Sequence, residues 1–435
     1  MPRKNIEKYQ YYDKIKQYFT LNFFWANCSE LGIALSDDWE QWNTDYTASL
    51  ADEVHIDSKI LGFSQTDHYF PRDRSDLLNT KVDDYNNMIG TVLDGNDAPD
   101  IYVNYSWMYG RDQYKSSIDH AENLADPALS LDLGCIRDNI LLKTEDGTLP
   151  MVPVFSNTYG MLVNKNLFEK EGLKVPTTYQ ELVDVCKAFQ DKGYANPLMG
   201  FSQKETTSIL TLTAYPYFCS TVAKDEEAVK KLNSLDASAG EYMRPTLEKI
   251  SQFMKDGCVD LGACGKIENN YEAVILRFFE GDVPMMTCSG DTLSGTKKRE
   301  SRSEAFIANP FTYTFVPVPM ADEGAVFLDM SNLQFSVNKK SANLDMANEF
   351  MRFLVSSTKL NEMAKNKGLM SPTKDLSFNS MYAAFGEVPE SRILSPEEIG
   401  LTDDAVIQLR QAVYNVGTGK MTIDEAVAAY GIFTQ

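Results

Sequence analysis

The sequence predicts an α/β protein built as two lobes, and three observations carry that prediction. The first is length: 435 residues exceed what a single core ordinarily fills, so two domains are expected. The second is order, because strand-like and helix-like segments alternate from Tyr18 onward. The third is a set of extended, proline-marked passages that begin at Leu149, Tyr313 and Leu369. A chain crossing from one body to another has this form.

The first lobe opens on YFTLNFFW, Tyr18 to Trp25, an alternating and β-rich run that reads as a strand. Asn27 to Glu30 form a polar loop, and Ser36 caps a helix with Trp39, Trp42 and Tyr46 on one apolar face. That stripe assigns Trp39 and Trp42 to the core. Val54 to Phe63 is the second strand, Ser64 to Arg74 a polar loop, and Tyr85 to Leu93 a helix. Ile101 to Val103 is a third strand, leaving through NYSWMYG. This order signals a parallel sheet with crossover helices. The loops at its carboxyl ends, Trp25 to Glu30, Ser64 to Asp67 and Asn104 to Tyr109, then lie side by side.

The stretch Leu149 to Leu182 is the most informative in the chain. Pro150 and Pro153 mark an extended entry, Tyr159 to Val163 an apolar run, and Asn164 to Gly172 a charged helical turn. Thr177 or Thr178 then caps a helix, with Glu181 placed for a capping box. Leu182, Val185, Cys186 and Phe189 form its apolar face. Beyond it come a strand at Pro197 to Phe201 and helices at Glu205 to Tyr217, Asp225 to Leu232 and Tyr242 to Met254, and Asn270 to Glu280 then leads through Gly281 into the next strand. The strand Val283 to Cys288 exits at Ser289, Gly290 and Asp291, and Ser294 to Asn309 reads as a basic surface loop. Tyr313 to Pro319 is the second extended passage. The strand Leu333 to Val337, one long helix from Leu344 to Lys365, the third passage at Leu369 to Pro372, and helices at Asp403 to Val416 and Ile423 to Tyr430 complete the chain.

Composition excludes more than it identifies. The net charge of -21 disfavours nucleic acid and anionic membrane surfaces as partners, since both require basic patches. No run of 18 uncharged apolar residues exists, so no transmembrane helix is expected. The N-terminus, MPRKNIEKYQYYDKIK, lacks the apolar core of a signal peptide. A cytoplasmic chain and one that begins after a removed export signal both fit. Of the seven cysteines only Cys258 and Cys264 are close in sequence, without a second pair at zinc-site spacing, so buried free thiols and no metal are expected.

Six landmarks in register resemble one family. They are Ala98-Pro99-Asp100-Ile101, the Leu149–Leu182 run, and Phe279, Gly281, Pro284, Met285 and Gly290. Then follow the helix Ala347 to Ser356, the step Gly368 to Pro372, and Gly419 to Ala426. Together they resemble the extracellular solute-binding proteins of ABC importers, in the carbohydrate branch that includes maltose-binding protein (family 1). The resemblance implies a type II periplasmic-binding-protein-like fold with three hinge crossings and a ligand cleft between the lobes. It implies a monomer outside the cytoplasm, in the periplasm or as a surface lipoprotein, that hands a carbohydrate, an oligosaccharide in this reading, to the permease's transmembrane subunits without any cofactor. Lobe one is expected at residues 1–154 and 318–368, lobe two at 155–317 and 369–435. Many relatives carry tryptophan shortly after the position of Gly290. Here Asp291 and Thr292 follow, so a polar contact or a tyrosine from elsewhere replaces that platform.

Sugar recognition needs flat aromatic faces and planar polar groups for vicinal hydroxyls. Lobe one offers Trp107, Asn104 and Ser106 in one strand exit, Trp25, Asn27 and Glu30 in another, and Gln65 and Asp67 in a third. The competing reading is a loop tryptophan packed on the sheet edge for Trp107, and core for Trp25. The first crossing offers Phe155, Asn157 and Tyr159, with Asn157 where relatives often place a carboxylate or amide. Lobe two offers Glu205, Tyr215 and Asp291, with core as the alternative for Tyr215, and Ser331 lies on the return.

An enzyme reading finds no constellation: no Gly-rich phosphate loop, no G-x-S-x-G, no H-E-x-x-H, and three isolated histidines. Paired carboxylates of a glycosidase cannot be singled out among 62 acidic residues. A sensor module of the same fold, and a polyol, phosphodiester or peptide as ligand, are the other readings.

Overall fold

The computed structural model describes residues 89–95, 98–105, 112–268, 271–376 and 379–433. The expected strands at Tyr18 and Val54 and the helix after Ser36 lie outside them. The chain divides into two compact units. Unit 1 comprises residues 1–155, 331–367 and 371–374; unit 2 comprises 156–330, 368–370 and 375–435. Residues 318–330, expected with the first lobe, cluster with unit 2.

In unit 1, the strand Leu333–Val337 lies between Ile101–Tyr105 and Val152–Pro153. Ile101 faces Val337 and Tyr105 faces Leu333, while Gln334 faces Pro153. Both ladders are antiparallel. The parallel pairing expected among Tyr18 to Trp25, Val54 to Phe63 and Ile101 to Val103 involves two strands outside the described residues, and Leu333–Val337 joins Ile101–Tyr105 from a distant part of the chain. Ile89, Leu93, Tyr102, Ala121 and Met151 form a core cluster in this unit. The buried Arg137 guanidinium ties in the short segment 371–374, donating to the carbonyls of Ser371 at 2.8 Å and Thr373 at 2.6 Å. The hydroxyls of those two residues share Asn361 Oδ1. The expected long helix from Leu344 is two, Leu344–Leu354 and Ser357–Lys367. It breaks at Val355-Ser356, where a β-branched residue meets serines that compete for backbone hydrogen bonds.

Unit 2 is organised on a four-stranded sheet ordered Leu198–Met199, Met285–Ser289, Tyr159–Asn164, Tyr313–Val316. The first pair is parallel and the other two antiparallel. Every residue of Tyr159–Asn164 is buried, as a strand covered on both faces requires. Gly160 is needed there: a Cβ would sit 2.6 Å from the Val316 carbonyl and 2.7 Å from Phe315 Cζ. Asn164 ends the strand and caps the helix Lys165–Glu171, which Gly172 closes with φ 69°. Thr178 is the cap of Tyr179–Asp191, and its capping box with Glu181 is complete. The buried helix Ile209–Val222 packs against the sheet and against the helices Arg244–Lys255 and Asp403–Gly417.

Three expectations for unit 2 are corrected. The helix expected from Glu205 starts at Ile209, because the Ser208 hydroxyl caps it by accepting from the Thr211 amide at 3.2 Å. The expected surface loop at Ser294 to Asn309 contains two short helices, Thr296–Glu300 and Glu304–Ala308, the second capped by Ser303. Tyr313–Val316 is a strand inside unit 2 and not a passage between units. Pro317 and Pro319 follow it, and prolines after an edge strand read the same in sequence as prolines around a crossing. The chain passes between the units after Phe155, Met330, Lys367, Met370 and Lys374.

Candidate functional site

The candidate site in unit 2 forms where one strand begins and its neighbour ends. Antiparallel register sets Tyr159 opposite Ser289, which brings Asn157 and Thr158 beside Gly290 and Asp291. The Gly290 amide donates to the Thr158 carbonyl at 2.8 Å. Asn157 Nδ2 donates to Asp291 Oδ2 at 2.6 Å, and Asn157 Oδ1 accepts from the Thr158 and Asp291 amides at 2.9 and 3.2 Å. The side-chain amide is thereby fixed by three bonds. Gly290 allows the approach, since a Cβ at that position would lie 2.7 Å from Asn157 Oδ1. Asp291 itself is exposed, so its carboxylate can accept further hydrogen bonds from a ligand.

Behind this edge sit the tyrosines. The rings of Tyr159 and Tyr215 are 6.2 Å apart and tilted by 49°. Both are buried, Tyr215 on the helix Ile209–Val222 and within the unit's core cluster. Arg410, on the helix Asp403–Gly417, holds its guanidinium 5.9 Å from the Tyr215 ring centroid and interacts electrostatically with Tyr159. Burial pushes the Tyr215 phenol well above its ordinary range, so it stays a neutral hydroxyl. Tyr382 lies close by. Burial first, then the negative charge of Asp291, drives its phenol upward, and its hydroxyl donates to the Gly368 carbonyl at 3.0 Å. Glu205 precedes the helix Ile209–Val222, and its carbonyl accepts from the hydroxyls of Thr211 and Ser208.

The remaining described candidates belong to unit 1. Asn104 is on the strand Ile101–Tyr105, in register with Gln334. Phe155 is buried, and its carbonyl accepts from the Asn332 amide at 3.0 Å. The buried Ser331 hydroxyl donates to the Ile140 carbonyl at 3.4 Å. Trp25, Asn27, Glu30, Gln65, Asp67, Ser106 and Trp107 lie outside the described residues.

Sequence reasoning missed two residues. Arg410 is one charge on an amphipathic helix, and nothing local distinguishes it from a solvated one. Gln334 is fully buried with neither amide atom partnered, and only its position in an apolar strand, LQFSV, hints at this. Among the described residues, no group of three or more His, Cys, Asp or Glu could hold a metal ion. No described helix is long and apolar enough to cross a membrane.

Comparison with known proteins bears on the whole arrangement. The profile of the bacterial extracellular solute-binding protein family matches residues 79–389. The melibiose/raffinose/stachyose-binding protein MelE of Bacillus subtilis is 19% identical over 78% of this chain and 76% of its own length. Apo RafE from Streptococcus pneumoniae superposes with a TM-score of 0.62 at 18% identity, covering 86% of this chain and 93% of that one. A sugar transporter of Bacillus licheniformis solved with stachyose gives 0.56 at 16%, covering 88% and 95%.

Proposed function

This chain belongs to the bacterial extracellular solute-binding proteins, and from that premise we propose that it captures an oligosaccharide outside the cytoplasm and delivers it to the transmembrane subunits of an ABC importer. One observation carries the carbohydrate assignment. A planar amide, Asn157, holds the exposed carboxylate of Asp291 at a strand edge with Tyr159 behind it. A carboxylate fixed in this way accepts hydrogen bonds from adjacent hydroxyls without losing further rotamer freedom on binding. The ligands in the names of the similar proteins, raffinose and stachyose among them, support the same class.

In this reading the protein acts as a monomer. The two units are the two lobes, and the passages after Phe155, Met330 and Lys367 act as hinges that close on the ligand. Tryptophan in lobe one, Trp107 first, supplies the aromatic face that unit 2 lacks after Gly290. The chain binds and releases its ligand unchanged.

Thermal unfolding in the presence of melibiose, raffinose and stachyose tests the assignment. A bound sugar at 100 times its Kd stabilises by about 2.7 kcal/mol. A polyol, a phosphodiester and a short peptide are the comparison ligands, and a shift with one of these alone overturns the carbohydrate class. Chromatography of the sugars after incubation separates binding from turnover: cleaved products would make the protein an enzyme.

A further inference from the structure

The cysteine pair that is close in sequence, Cys258 and Cys264, is not the pair that meets in the fold. The Cys186 thiol instead interacts with the Cys258 thiol, and each residue is 1% exposed. Their meeting is set by a wider seam. Tyr179, Cys186 and Gln190 stand at i, i+7 and i+11 of the helix Tyr179–Asp191 and therefore share one stripe. Opposite them run three consecutive residues. Tyr179 donates to Asp256 Oδ2 at 2.6 Å, Gln190 donates to the Gly257 carbonyl at 2.9 Å, and Cys186 faces Cys258 between them. Gly257, at φ 71°, turns the chain directly after the helix Arg244–Lys255 and fixes where Cys258 begins. Cys186 is thus flanked on its stripe by a hydrogen bond on either side, and Cys258 directly follows the two residues that accept them.

We propose that Cys186 and Cys258 form a disulfide when the chain folds in an oxidising compartment outside the cytoplasm. The oxidant is a disulfide, either of low molecular weight or on a thiol–disulfide oxidoreductase. One protein thiolate attacks a sulfur of that disulfide and expels a thiolate. The second protein thiolate then attacks its partner's sulfur in the mixed disulfide and expels the other. The protein gives up two protons and two electrons, and the oxidant is reduced to two thiols. In the finished fold the neighbouring thiol and burial hold Cys186 well above the ordinary thiol range, so little thiolate is available to react. The bond therefore forms during folding, and once formed it is sheltered from reductants.

The test is refolding of the full chain from reduced denaturant with oxidised and reduced glutathione, followed by denaturation, alkylation and peptide mapping by mass. The expected result is one cross-linked peptide joining Cys186 to Cys258, lighter by two hydrogens, with Cys135 alkylated. The oxidised protein should also unfold roughly 5 °C or more above the reduced one, because the link closes a long loop. Native reduced protein given the same glutathione mixture without unfolding should keep both thiols. Cys258→Ala should abolish the cross-link and leave Cys186 free to alkylate after denaturation. If both cysteines are alkylated after oxidative refolding of the unaltered chain, or either is linked to a different cysteine, the proposal is overturned, whatever the variant does.

Discussion

Asn157 Nδ2 donates to Asp291 Oδ2 at 2.6 Å, joining residues 134 positions apart at the edge of one sheet. The bond ties an amide on the first segment of unit 2 to the carboxylate that follows the strand Met285–Ser289. Neither group is needed to hold the sheet, since the ladder between Tyr159–Asn164 and Met285–Ser289 does that.

Removing either member should therefore affect ligand more than fold. Asp291→Ala and Asn157→Ala are each expected to weaken sugar binding at least about tenfold, roughly 1.4 kcal/mol or more, measured by titration calorimetry. The unfolding midpoint of the free Asp291→Ala protein should move little because Asp291 is exposed. Gly290→Ala should reproduce the loss of affinity, as its methyl would displace the Asn157 amide. Unchanged affinity in all three would remove this edge from the binding surface.

Arg410 is expected to act through Tyr159 and Tyr215. Arg410→Met keeps the stem but loses the electrostatic interaction with Tyr159 and the cation beside the Tyr215 ring. A stability loss of about 1–3 kcal/mol by urea unfolding is expected. Arg410→Lys should recover only part of it, since a point charge does not replace a planar fork.

Gly160→Ala tests the packing of the central strand. The added methyl has no room between the Val316 carbonyl and the Phe315 ring. The expected cost is about 1–3 kcal/mol in denaturant unfolding. A neutral result would mean that Tyr313–Val316 can move away without loss.

Glu122 in unit 1 gives a pH signature. Burial raises its carboxyl above the ordinary value, against the lowering effect of a hydrogen bond with Asn348, and its Oε2 has no partner. A raised folded value means the carboxyl favours folding below the unfolded carboxylate range. That contribution is lost as pH rises through the folded value. Glu122→Gln removes the titration and can donate to Asn348 Oδ1, which is also unpartnered. The variant should be more stable than the parent near neutral pH, with the difference shrinking on acidification through the carboxylate range. Parallel stability–pH curves would contradict this.

What could be read in the sequence was local. Thr178 and Glu181 declare a capping box at fixed spacing, and the helix they start lies where that spacing puts it. Asn157 and Asp291 could each be singled out by residue type and position, but not as a pair. Their meeting depends on the register of Tyr159 opposite Ser289, which is a property of two distant strands. Tyr313–Val316 misled because its prolines are equally compatible with an edge strand and a crossing. In unit 1 the pairing of Leu333–Val337 with Ile101–Tyr105 and Val152–Pro153 was out of reach for the same reason as the Asn157–Asp291 pair, because that strand comes late in the sequence.

That late strand bears on how the protein is made. Unit 1 begins at residue 1 yet draws a central strand and two helices from 331–367 and a tie from 371–374, and unit 2 draws its last helices from beyond 375. Neither unit is complete on a nascent chain until most of the other has been synthesised. Such a chain stays unfinished, with apolar strands uncovered, through most of its elongation, a state suited to passage through a translocon and exposed to aggregation if that passage stalls. It also follows that neither unit can be isolated by cutting the chain once.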